Sequence, residues 1–114
     1  MMSLNMMKEM AKRMPDTGVQ LTLLTDEARK QYGIGNKING VLVSSVEKDC
    51  EAHDLGIAPG DVVTFVQDTA VATPGDVQSA IRKAYEEHRP YLAVLLQNRG
   101  GARWVSLSMG GISP

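Results

Sequence analysis

Leu55-Gly56-Ile57-Ala58-Pro59-Gly60-Asp61-Val62-Val63 bends the chain and then launches it into a strand. Pro presets one turn dihedral, Gly tolerates φ > 0, and Asp can hydrogen-bond nearby backbone, so Pro59-Gly60-Asp61 is a strong turn signal. Val62 to Val66, rich in β-branched residues, reads as a strand. Just upstream, Gly40 precedes a second run, Val41 to Val46. Its Val41-Leu42-Val43 core is apolar on both faces, as in a strand covered on both sides. Glu47 to Asp54 between the two runs is polar and turn-like, with room for a single helical turn.

Downstream, Gln67-Asp68-Thr69 turns the chain and Val71 forms a short strand fragment. Thr73-Pro74-Gly75-Asp76 is the clearest helix start. The Thr73 hydroxyl can accept from an early amide, Asp76 can reach back, and Pro74 sits where a missing N–H costs nothing. Val77, Ala80, Ile81 and Ala84 follow at i, i+3, i+4 and i+7, one apolar face. Pro90 closes this helix. Tyr91 to Gln97 and Arg103 to Met109 are two strands joined through Arg99-Gly100-Gly101-Ala102. In the last strand Val105, Leu107 and Met109 share one face, and Trp104, Ser106 and Ser108 the other. Nearer the start, Val19, Leu21 and Leu23 alternate with Gln20, Thr22 and Leu24, a strand-like run. Thr25-Asp26-Glu27 opens a short helix through Ala28 to Tyr32 that Gly33 stops. The expected fold is mainly β with two short helices (α+β), a partly open barrel or sandwich capped by helices.

The 114 residues suit one domain. Twelve Lys and Arg against thirteen Asp and Glu give a net charge of −1, without the basic excess of a general nucleic-acid binder or a polybasic membrane-surface protein. Two His and one Cys do not make a structural zinc site, and a single Cys cannot form a disulfide within the chain. No cofactor or metal is expected, no apolar run is long enough to span a membrane, and no signal peptide is visible. Cys50 and His53, three residues apart without an orienting acid, do not make a convincing nucleophile and base. Cys50 is expected to act as a small residue in place of Ser, and His88 as a solvated residue near a helix end. Six of the seven Met fall within the first fourteen residues. Residues 1–15 are read as a linker or added leader, or as a short amphipathic helix because Met6, Met10 and Met14 sit four apart. Residues 16–109 form the domain, and 110–114 a flexible tail.

Taken together, Gly40-Val41-Leu42-Val43, Leu55 to Val63, Val71 and the Thr73 to Ala84 helix resemble a PDZ domain of bacterial, circularly permuted strand order. The likeness runs from about Thr17 to Met109. Leu23-Leu24-Thr25-Asp26-Glu27-Ala28-Arg29-Lys30-Gln31-Tyr32-Gly33-Ile34 resembles a segment of the second PDZ domain of HtrA/Deg (Do-like) serine proteases. The chain also ends soon after the last strand, as those proteases do. There are departures. Cys50-Glu51-Ala52-His53 stands where that family prefers Ser-Pro-Ala-Ala, Gln67-Asp68 where Asn-Gly is usual, and Thr17 where the carboxylate-binding loop carries an apolar residue.

The resemblance implies a non-catalytic, peptide-binding piece of a periplasmic serine endopeptidase, with no serine-protease nucleophile motif of its own. A C-terminal or unfolded polypeptide segment would add as a strand beside Val19 to Leu23. Thr17, Gly18 and Val19 would offer amides to its carboxylate, with Gln20 and Leu21 continuing the edge. Val19, Leu21 and Ile81 would line the pocket for its last side chain, where plain core packing is the equal alternative. Gln78 and Arg82 would face its upstream residues. An alternative role is structural, through subunit contacts in a protease oligomer with Trp104 as an exposed anchor; packing of Trp104 on the Met-rich segment is the plainer reading. A PDZ domain of a site-2 metalloprotease or a secretion-system protein is a further alternative.

Overall fold

The computed structural model describes residues 11–13, 18–48 and 50–109. Seven strands form one antiparallel sheet. They are β1 (Ala11–Arg13), β2 (Val19–Leu23), β3 (Val41–Val46), β4 (Val62–Val66), β5 (Thr69–Ala70), β6 (Tyr91–Asn98) and β7 (Gly101–Ser108). The path across the sheet is β1-β2-β3-β4-β6-β7, with β5 pairing β4 off that path. Among the described residues three helices accompany it: α1 (Asp26–Tyr32), α2 (Glu51–Asp54) and α3 (Pro74–Glu86). The described residues thus carry one helix more than the two expected. The polar turn at Glu51–Asp54 closes into a helical turn because Cys50 caps it.

The turn before β4 shows why Pro-Gly-Asp stands there. Asp61 is buried. Its carboxylate accepts from the Ala58 amide at 3.0 Å and from Asn98 Nδ2 at 2.8 Å. The acid thereby ties its own turn to the far end of β6. Gly60 takes φ 97°, and a Cβ there would lie 2.7 Å from the Tyr32 ring. Both the left-handed backbone and the closeness of α1 require glycine.

Leu42 and Val62 face away from their neighbours and pack with Ala28 and Ile34 beneath α1. Val41, Val43 and Val63 face the main core, which α3 covers with Val77, Ala80, Ile81 and Ala84. That division explains a β3 apolar on both faces. The α3 start has the expected reciprocal cap: Asp76 N donates to Thr73 Oγ1 and Thr73 N to Asp76 Oδ2, each at 3.1 Å. The β6–β7 hairpin turns on Arg99-Gly100, tighter than the four-residue connection expected, with Asn98 opposite Gly101. The Gly100 amide bonds Asn98 Oδ1 at 2.7 Å and fixes that turn. Val71 follows β5 rather than forming a strand itself, and is buried with its amide bonded to Thr64 O.

Gln67 takes φ 56°, where an Asn or Gly would be easier. Its side chain offsets that cost by clasping β6: Oε1 accepts from Ala93 N at 2.9 Å and Nε2 donates to Tyr91 O at 3.3 Å.

Of the Met-rich segment, Ala11–Arg13 is a strand rather than a helix. The four-residue spacing of methionines suggests otherwise, but a short helix without a packing partner is marginal in water, whereas a sheet edge offers these three residues a row of backbone partners. The remainder of that segment, Thr17 and the tail from Gly110 lie outside the described residues.

Candidate functional site

The edge of β2 and the face of α3 border the candidate site. α3 packs against β2, and β1 lies against both. β1 runs antiparallel to β2, pairing Ala11 with Thr22, Lys12 with Leu21 and Arg13 with Gln20. The sequence reading placed an incoming strand at this edge and left it open. Here a segment of the chain itself lies along it.

Gly18 opens β2 and takes φ 77°. It is buried, and a Cβ on it would meet Cys50 Sγ at 3.1 Å and Glu47 Cβ at 3.2 Å. Its carbonyl accepts from the Glu47 amide at 2.9 Å. Left-handed backbone at this point is a conformation that glycine adopts readily and other residues do not. Cys50, beneath it, does the work of a capping serine. Its Sγ donates to Glu47 O at 3.0 Å and accepts from the backbone amide of His53 at 3.4 Å. The thiol is thus engaged with the backbone of its own turn. His88 is exposed and takes φ 56° just past α3.

Val19, Leu21 and Ile81 come together between β2 and α3, each only 1% exposed, and all three belong to the main core. They sit where β2 and α3 meet and are part of the interior. Gln20 is exposed, and its side-chain Oε1 accepts from Ser45 Oγ at 3.1 Å. A register shift between Gln20 and Leu21 bends β2 at this point. On α3, Gln78 is half-buried and Arg82 exposed. Sequence reasoning missed β1 altogether, because Ala11-Lys12-Arg13 shows neither alternation nor β-branching.

The α3 wall starts at a carboxylate with a perturbed titration. The Ala72 amide, 3.0 Å from Asp76 Oδ2, holds the Asp76 carboxyl below its ordinary value of 3.8. The Thr73 amide and hydroxyl act in the same direction, and desolvation partly opposes them.

A second feature lies away from this site. Ala70, Phe65, Leu95 and Trp104 form one row across β5, β4, β6 and β7. Phe65 is 38% and Trp104 56% exposed. Trp104 borders a cleft of about 540 Å³ between the sheet and the end of α3, lined also by Lys83, Glu87 and Arg89. Among the described residues, no group of His, Cys, Asp and Glu is placed to hold a metal ion.

The chain is similar to known proteins over most of its length. A DegP-like protein of Brucella suis biovar 1, described as a probable periplasmic serine endoprotease, is 38% identical over 68 residues, 60% of this chain and 13% of that protein. Its counterpart in Bartonella henselae is 29% identical over 87 residues, 73% of this chain and 17% of that one. The Do-like serine protease HtrA of Lactococcus lactis is 38% identical over 64 residues, 55% of this chain and 16% of that protein. The match thus spans less than a fifth of these relatives' lengths. Among solved structures, the HtrA-type protease AlgW with a decapeptide has the same fold, with a TM-score of 0.61 at 24% identity, over 86% of this chain and 29% of that one. The PDZ-domain family model matches residues 15–100, and the chain belongs to the PDZ-domain family.

Proposed function

We propose that this domain binds C-terminal or unfolded polypeptide segments by strand addition along β2, as the second PDZ domain of a periplasmic HtrA-type serine endopeptidase. There it feeds or regulates the protease. The observation that carries the reading is the β2 edge itself, which accepts an antiparallel strand against α3. Backbone hydrogen bonds supply affinity with little regard to sequence. The amides around Thr17, Gly18 and Val19 receive the terminal carboxylate. Val19, Leu21 and Ile81 take the last apolar side chain once they shift apart, and Gln78 and Arg82 meet upstream residues. A groove of this kind needs no reactive side chains from the chain. The related AlgW structure with a decapeptide supports the reading. The names of the DegP-like relatives support the periplasm, and no helix among the described residues is long and apolar enough to cross a membrane.

Isothermal titration against a library of C-terminal peptides tests it. Peptides with an apolar last residue bind in the micromolar range, and amidation of their ends weakens them. A library without a single binder removes the groove reading.

The Phe65–Leu95–Trp104 row, with Phe65 and Trp104 exposed, favours a second role in subunit contacts. Large exposed aromatics are over-represented at interface centres. Replacing Trp104→Ala in the full-length protease and measuring the mass of its oligomers tests this, and unchanged assembly counts against it.

A further inference from the structure

We infer that β1 is a built-in competitor for the peptide groove, so that the domain rests in a self-occupied state and binds a partner by exchanging one strand for another. The inference rests on the groove reading above. β1 lies where that ligand would lie, on the β2 edge and against α3. Its direction is also the ligand's. Arg13 is opposite Gln20 and Ala11 opposite Thr22, so β1 runs toward Gly18 as a bound C-terminus would.

Two properties make this cover effective yet removable. It is tethered: residues 14–17 alone separate Arg13 from Gly18. So short a link gives an effective concentration on the order of millimolar, well above a free peptide's working concentration. It is also short as described, three residues against the five of β2. Furthermore, β1 continues into the following chain and cannot present a terminal carboxylate to the amides at Gly18. A free C-terminus brings that charge-assisted contact, and an internal segment does not.

The consequence is a threshold. Apparent affinity falls by the fraction of molecules whose groove is open. Ligands with a carboxylate and an apolar end remain measurable under that factor, and weak internal segments drop out.

The test compares three full-length versions of this chain: unaltered, Lys12→Pro/Arg13→Pro, and Lys12→Ala/Arg13→Ala. Alternate residues of a strand donate to the same neighbour, so adjacent prolines strike whichever set faces β2. The alanine pair removes the charges and keeps the backbone. The probe is the best-binding C-terminal peptide of the library, measured by titration. Amide hydrogen exchange of Val19–Leu23 is followed in each free chain. The proline pair is expected to bind about 10-fold more tightly than the unaltered chain. It is also expected to lose exchange protection along β2, while the alanine pair stays within about twofold of the unaltered chain.

Equal affinity and equal exchange in the unaltered and proline chains overturn the self-occupied state and leave the groove reading standing. An alanine pair that behaves like the proline pair also overturns it, because side-chain charge and not strand pairing would then cover the edge. If no chain binds any peptide, the groove reading fails and this inference falls with it, whatever the exchange pattern.

Discussion

At one end of the sheet, β7 is held by side-chain contacts with residues far away along the chain. Arg103 donates to the carbonyls of Leu55 at 3.0 Å and Gly56 at 2.9 Å, and the Ser108 amide donates to Glu51 Oε1 at 2.8 Å. At the other end, β2 is covered by three residues next to it in sequence, through backbone pairing. Exposed edges invite unwanted strand pairing, and proteins blunt them by charge, by cover or by closure. The β7 side uses fixed contacts with α2 and its loop. The β2 side uses a cover of its own chemical kind, which another strand can replace. An edge meant to stay shut and an edge meant to exchange therefore call for different closures.

The strongest way to break this contrast is to cut the anchorage of β7 in the core. Leu107 is 1% exposed there, and Leu107→Ala is expected to cost about 3 kcal/mol by urea denaturation. A loss as small as a surface change would mean that β7 is held by its loop contacts alone. Next comes Gly18→Ala, which forces a side chain into left-handed backbone against Cys50. It is expected to cost about 2 kcal/mol and to abolish carboxylate preference in the titrations. Retained preference would place the anion site elsewhere. Arg103→Ala removes two exposed charge-assisted bonds, for about 1.5 kcal/mol, and leaves peptide affinity unchanged. A change in affinity would show that the two edges are coupled.

The smallest effect concerns the α3 wall. Asp76→Ala is expected to cost about 1 kcal/mol at pH 7. The folded carboxyl titrates below its ordinary value of 3.8, so its contribution is complete above that value. It is lost as the pH falls through the lower folded value. The stability difference between the two chains should therefore shrink in acid below about pH 4. A difference that persists undiminished there would mean that alanine disturbs α3 for a reason other than the lost charge.

Much of this fold was legible because local signals and burial agreed. Val41-Leu42-Val43 is apolar on both faces, and both faces are covered. The α3 stripe and its Thr73–Asp76 cap appear as spaced. What escaped is of another kind. Ala11-Lys12-Arg13 becomes a strand only because β2 offers it an edge, so no property of those residues announces it. Gln67 looks like a poor turn residue until Ala93 and Tyr91 are brought beside its amide. Asp61 reads as a turn former, and its second partner, Asn98, arrives from the other end of β6. In the candidate site, the positions of Gly18, Val19, Leu21 and Ile81 around one groove follow from the resemblance. Their near-complete burial and the presence of β1 do not, since both depend on contacts distant from the motif.

Strand exchange along β2 has a kinetic consequence as well. Leu23, at the end of β2 away from Gly18, is 51% exposed. In an antiparallel arrangement that is where the upstream part of an arriving peptide would begin to pair. A strand that pairs first with this end would zip toward Gly18 and peel β1 away step by step. Association by this route rises linearly with peptide concentration. A groove that had to empty first would show a rate that levels off at the speed of opening.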